Sequence, residues 1–136
     1  MSKLKRGAST VSIWDAPPHV REKFKLMLRA AERKFGASPD ACWLWSAKTN
    51  AQGYGEYKWY DHRDRKQRGS GAHRIALELK LGVSLAAGNV AGHICPKPPD
   101  GVHPDRRCFR PEHLEEVSQS QNMLEWVRMR REGRNE

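Results

Sequence analysis

Three cysteines and one histidine are placed in this chain so that few folds can accommodate them. Cys95, Cys108 and His113 lie close together in sequence, and Cys42 is the only other cysteine. An odd number of thiols cannot close a disulfide framework, and in a reducing cytosol metal ligation is the better use for them. Structural zinc takes four N or S donors in a tetrahedron. Cys42, Cys95, Cys108 and His113 are therefore the expected ligands of one structural zinc. The competing reading, three buried thiols with no ion, does not account for the spacing of His113. Such an ion suits a chain whose apolar share is only 38% and whose mean hydropathy is −0.85. Zinc contributes on the order of 10 kcal/mol of apparent binding energy, comparable with the net stability of a typical domain, about 5–15 kcal/mol.

Two side chains beside the cluster are not needed by it. His93 closes an expected short strand, Asn89–Ile94, and a second strand is expected over Leu114–Ser118. Asn122 falls in the first turn of a helix that starts at Ser118 or Ser120, either serine serving as N-cap. The local order is strand, ligand loop, strand, helix, a ββα unit. Histidine titrates near 6.5 and can take a proton from water at neutral pH. One amide oxygen together with phosphate oxygens can hold Mg²⁺, which stabilises charge on a departing oxygen. The pair suggests hydrolysis of a phosphodiester. The plainer alternatives are a core or outer-site role for His93 and a capping role for Asn122.

The remainder of the chain fits a basic, DNA-facing protein. Lys and Arg number 25 against 16 Asp and Glu, a formal charge of +9, which favours a polyanionic partner through counterion release. No run approaches the ~20 apolar residues of a membrane span, and the basic N-terminus lacks the apolar segment of a signal peptide. Residues 1–12 read as a solvated arm. From His19 to Phe35 the apolar residues Val20, Phe24, Met27, Leu28, Ala31 and Phe35 recur at helical spacing, with Pro17-Pro18 before them and Gly36 after. The first unit is thus 1–38, a basic arm and helix, and the second is 39–136. Within the latter, ACWLW (41–45) and GYGEYKWY (53–60) are expected to pair as a β-hairpin around AKTNAQG. DHRDRKQRGSG (61–71) reads as a charged loop, and AHRIALELKLG (72–82) as a short helix. Four prolines exclude regular structure between the last two cysteines. The tryptophans read as core residues, with Trp59 and Tyr60 as candidate base-stacking exceptions. His19, His62 and His103 carry no expected role.

His93-x-Cys95, then Cys108-x-x-Pro111-x-His113-Leu114, then Asn122 resemble the His-Me finger (ββα-metal, HNH-type) endonucleases. The nearest branches are the zinc-bearing His-Cys box homing endonucleases and the small HNH endonucleases of phages. CWLW, GYGEY and AHRIALEL are similar to the segments that precede the motif in the phage proteins, so the resemblance spans roughly 41–123. It implies that His93 is the general base, that Asn122 holds a catalytic Mg²⁺ or Mn²⁺, and that Arg74 contacts the scissile phosphate. It also implies a bacterial host cytosol as the place of action. The sequence departs from the pattern in three places. Twelve residues separate Cys95 from Cys108 where the family has a few, Arg110 stands where the family has its central asparagine, and Gly92 stands where some members carry a metal-binding aspartate. Longer loops cost only about 0.6 kcal/mol per doubling.

The expectation is an α+β fold: a small zinc-stabilised ββα-metal core with an upstream β-hairpin and flanking helices. The expected activity is that of a metal-dependent DNA endonuclease or nickase, acting on double-stranded DNA and leaving 5′-phosphate and 3′-hydroxyl ends. A monomer would nick, while a homodimer could make staggered breaks. The basic first helix could grip DNA or a partner such as a phage packaging protein. Two rival readings stand beside this one: a non-catalytic zinc-stabilised DNA-binding module, and an RNA-binding basic protein.

Overall fold

The computed structural model describes residues 11–96 and 106–120. Helix α1 spans Pro18–Phe35 and α2 spans Ala72–Leu81. Strands β1 (Glu56–Asp61) and β2 (Lys66–Gly71) form one antiparallel sheet, and β3 (Asn89–His93) and β4 (Leu114–Ser118) form another. Single 3-10 turns cover Ile13–Asp15 and Pro111–His113. The class is α+β, and among the described residues no helix is long and apolar enough to cross a membrane.

Helix α1 begins with Pro18 in its first turn and ends where Gly36 adopts φ 97°, a conformation that side chains resist. The apolar stripe read from the sequence faces inward: Val20, Phe24 and Ala31 are buried, and Met27, Leu28 and Phe35 pack beside them. Lys23, Arg29, Arg33 and Lys34 face solvent. Phe24 is fully buried and meets Trp45, Tyr57 and Phe109 at ring-centroid distances of 5.9, 5.2 and 5.9 Å. Those three rings come from three further segments, so one aromatic cluster joins α1 to the rest of the chain. Edge-on geometry dominates the contacts, as ring quadrupoles favour.

The expected hairpin is corrected by the structure. ACWLW does not pair with GYGEYKWY. It runs antiparallel to the segment carrying Cys108, with Leu44 bridged to Cys108, Trp45 N–H on the Arg107 carbonyl and Phe109 N–H on the Trp43 carbonyl. The turn in AKTNAQG does form, since Thr49 bridges to Gly55 and the Asn50 amide accepts the Tyr54 N–H. The true partner of β1 is the segment read as a charged loop, with Glu56 opposite Gly71 and Asp61 opposite Lys66. KQRGSG has little strand propensity of its own. It is held by the tip, where Arg63 donates to both oxygens of Asp61, at 3.0 and 2.8 Å, and to the Asp15 carbonyl. The hydrogen bonds from Arg63 lower the Asp61 carboxyl to about 2. Arg65, at φ 59°, completes the turn.

Of the two residues considered for base stacking, Trp59 is buried and Tyr60 is 45% exposed. Trp43 and Trp45 are buried as expected.

Helix α2 occupies its expected range and is capped by left-handed Gly82. Its Glu78 is fully buried and accepts from the Ile13 and Leu85 N–H groups at 3.1 and 3.3 Å, with Arg74 paired to it at 3.5 Å. The carboxylate thereby fastens the chain before α1 and the chain after α2 to one helix. A buried charge requires such partners.

Gly55 permits the closest approach in the core, because a Cβ there would sit 2.5 Å from a Trp45 ring carbon. Gly55→Ala is expected to lower stability by roughly 1–3 kcal/mol through overpacking. Urea unfolding monitored by tryptophan fluorescence checks this; an unchanged midpoint would contradict the packing described.

Candidate metal centre

The four predicted zinc ligands converge. One ligand atom from each of Cys42, Cys95, Cys108 and His113 can be chosen so that all lie within 4.8 Å of one another. His113 Nδ1 is 3.7 Å from the sulfurs of both Cys42 and Cys108. Bonds of ~2.3 Å to sulfur and ~2.0 Å to nitrogen set tetrahedral ligand atoms roughly 3.5–3.8 Å apart. The donor set and its spacing thus fit a metal ion such as zinc.

Each ligand is delivered by a separate local device. Cys42 precedes the strand-like Trp43–Trp45 run that pairs with Arg107–Phe109. Cys95 follows β3, which pairs with β4 from Asn89↔Ser118 to His93↔Leu114. Cys108 is fully buried at the Leu44 bridge. His113 ends the Pro111–His113 turn, and its carbonyl accepts the Ile94 N–H at 2.7 Å. Lys80 of α2 donates to the Leu114 and Pro111 carbonyls, pinning this turn to the helix.

The tautomer of His113 follows from its neighbours. Its Nε2 lies 2.7 Å from the Pro39 carbonyl oxygen, which can only accept, so Nε2 carries the proton and Nδ1 faces the sulfurs with its lone pair. The thiols are polarised against one another. Hydrogen bonding from Cys95 lowers Cys108, and the same interaction raises Cys95. Binding of a divalent cation would require both as thiolates and release their protons.

Arg110, which departs from the resembled pattern, is 6% exposed. Its guanidinium donates to the carbonyls of Ala37, Ser38 and Ala41, pairs with Glu112 and lies 4.8 Å over the Trp43 ring. The bonded loop is the one that supplies the Pro39 carbonyl to His113 and leads into Cys42. Arg110 thus ties the ligand loop. The guanidinium carries five N–H donors in a rigid planar fork, which suits it to serving three carbonyls from two nitrogens.

His93 stands outside the ligand set. Its Nε2 is 3.0 Å from the Cys108 carbonyl oxygen, and its ring is nearly parallel to those of Tyr54 and His73. The guanidinium of Arg106 lies 5.3 Å over Tyr54. Arg74, predicted to face a phosphate, is directed to the buried Glu78 carboxylate with its side chain 26% exposed. Asn122 and the expected final helix lie outside the described residues, as do residues 1–10 of the arm. Tyr54 and His73 had no expected role. Nothing in their spacing links them to His93; the Gly55-to-Ala72 backbone bond and the β1–β2 register bring them together.

No family model matches the chain, and neither a curated protein nor a solved structure matches it.

Two measurements test the centre. Purified protein is expected to carry one zinc per chain, and Cys42→Ser to lose it and melt at lower temperature; metal analysis beside calorimetry decides this, and metal-free wild type would refute the cluster. Arg110→Met is expected to weaken zinc binding about 10- to 100-fold, as lost support of ligands does. Arg110→Lys should rescue it poorly, judged by competition with a chelating dye.

Proposed function

We propose that the protein is a metal-dependent DNA endonuclease or nickase of the His-Me finger, HNH-type class, built on a ββα-metal core. The observation that carries this reading is the hydrogen bond between His93 Nε2 and the Cys108 carbonyl oxygen, 3.0 Å. A carbonyl accepts only, so Nε2 holds the proton and Nδ1 keeps its lone pair. An imidazole with a fixed tautomer, anchored to the backbone of a metal ligand yet not itself a ligand, is suited to general-base work.

In this mechanism His93 Nδ1 takes a proton from water, and the hydroxide attacks phosphorus in line. The P–O3′ bond breaks and the departing 3′-oxygen takes a proton from solvent water, leaving 5′-phosphate and 3′-hydroxyl ends. A Mg²⁺ or Mn²⁺ held by Asn122 would supply the positive charge that stabilises the departing oxygen. The Cys42, Cys95, Cys108 and His113 site is structural, since four protein donors leave no open position. Arg74 is the candidate phosphate contact. Its pairing with Glu78 gives it a structural task as well, so its substitution would affect stability together with cleavage. Lys23, Arg29, Arg33 and Lys34 on the solvent face of α1 offer phosphate contacts to duplex DNA.

Nicking of supercoiled plasmid with Mg²⁺ or Mn²⁺ tests the proposal. His93→Ala is expected to retain zinc and to nick about 10²–10⁴-fold more slowly. A folded His93→Ala protein that nicks at the wild-type rate would eliminate the mechanism. Salt-sensitive DNA binding without cleavage in any divalent metal would replace it with a non-catalytic binding module.

A further inference from the structure

Tyr54, His73 and His93 form a cluster of three nearly parallel rings. Their centroids are 4.9 Å (Tyr54–His73), 5.2 Å (His73–His93) and 5.9 Å (Tyr54–His93) apart, with interplanar angles of 15°, 9° and 15°. His73 opens α2, next to the helix N-terminus. Its Nδ1 is buried and finds no hydrogen-bond partner among the described residues. Gly71 leaves room for the ring, as a Cβ there would come 3.0 Å from His73 Cε1. Burial, then the neighbouring His93 and Arg74, lower His73 to about 3, so it is neutral at physiological pH.

A histidine with a buried, unbonded nitrogen is poorly placed to carry protons to or from solvent. What it does present is a flat ring face. We propose that His73 is a positioning residue whose parallel ring, itself backed by Tyr54, holds the plane of the His93 imidazole, so that its Nε2–H stays on the Cys108 carbonyl. A parallel ring against the imidazole face opposes rocking of that ring about the hydrogen bond. The orientation of His93 stands on geometry alone, and its consequence for cleavage rests on the nuclease reading.

The experiment compares His73→Phe, which keeps a flat ring without nitrogens, with His73→Leu, which keeps apolar bulk without a plane. Two readouts are taken on zinc-loaded full-length protein: the His93 tautomer from long-range ¹⁵N–¹H spectra, and plasmid nicking resolved into kcat and KM. His73→Phe is expected to keep the Nε2–H tautomer and nick within about threefold of wild type. His73→Leu is expected to mix tautomers and lose about 10- to 100-fold in kcat at unchanged KM and zinc content, the scale of a misplaced reacting group. A His73→Leu protein matching wild type in both readouts overturns the proposal. So does a His73→Phe protein as impaired as His73→Leu, because the nitrogens and not the plane would then matter. Should His73→Leu fail to fold, His73→Met, which also lacks a planar ring, is read the same way. If wild type nicks no DNA, the nuclease reading fails by itself, and the tautomer spectra still decide the clamp.

Discussion

The convergence of Cys42, Cys95, Cys108 and His113 is the constraint from which the rest of the structure follows. These residues come from three stretches of chain: the run after α1, the end of β3, and the segment from Cys108 to His113 before β4. Among the described residues, two sheets of two strands each offer little ladder to hold such segments together, and isolated two-stranded hairpins are marginal in water. An ion joining all three closes large loops at one point.

Around that point the fold uses buried charge where a larger protein would use buried hydrocarbon. Glu78 gathers backbone N–H groups from two distant segments, and Arg110 gathers carbonyls from the loop that follows α1. The two are complementary: one accepts from chain that lacks acceptors, the other donates to chain that lacks donors. Both are held inside by several hydrogen bonds at once, the condition under which a buried ion is tolerable. Irregular loops thereby acquire fixed geometry without belonging to a helix or sheet. That is how a chain with 38% apolar residues can present four ligands within a few ångströms.

Much of this was legible from residue spacing, and the parts that were not have a common cause. Both helices and the strands at the cluster follow from local periodicity and caps, which act within one turn or one strand. The ligand set follows from donor chemistry and the scarcity of cysteine. ACWLW and GYGEYKWY are each strand-like, and their adjacency in sequence suggests that they pair. The structure pairs ACWLW instead with chain more than sixty residues away, where Cys108 must meet Cys42. KQRGSG carries no strand signal of its own, because its pairing is imposed by the Asp61–Arg63 tip and not by propensity. Arg110 looked like a defect against the family pattern. Its role becomes visible only once the Ala37–Ala41 carbonyls are seen around it.

The placement of His93 joins the structural and chemical halves of the molecule. Its Nε2 partner is the carbonyl of Cys108, a residue whose sulfur faces the metal position and whose strand segment is fixed by Leu44 and Phe109. An ion on the sulfur would therefore stiffen the carbonyl, and the carbonyl selects the imidazole tautomer. On the nuclease reading, a metal that never touches substrate would still govern the base, through a single residue that serves as ligand by its side chain and as acceptor by its backbone. Removal of the ion would then weaken the preference for a lone pair on Nδ1 before it unfolded the chain. Structural and catalytic roles are usually separated by distance; on that reading they would be separated here only by the bonds of one cysteine.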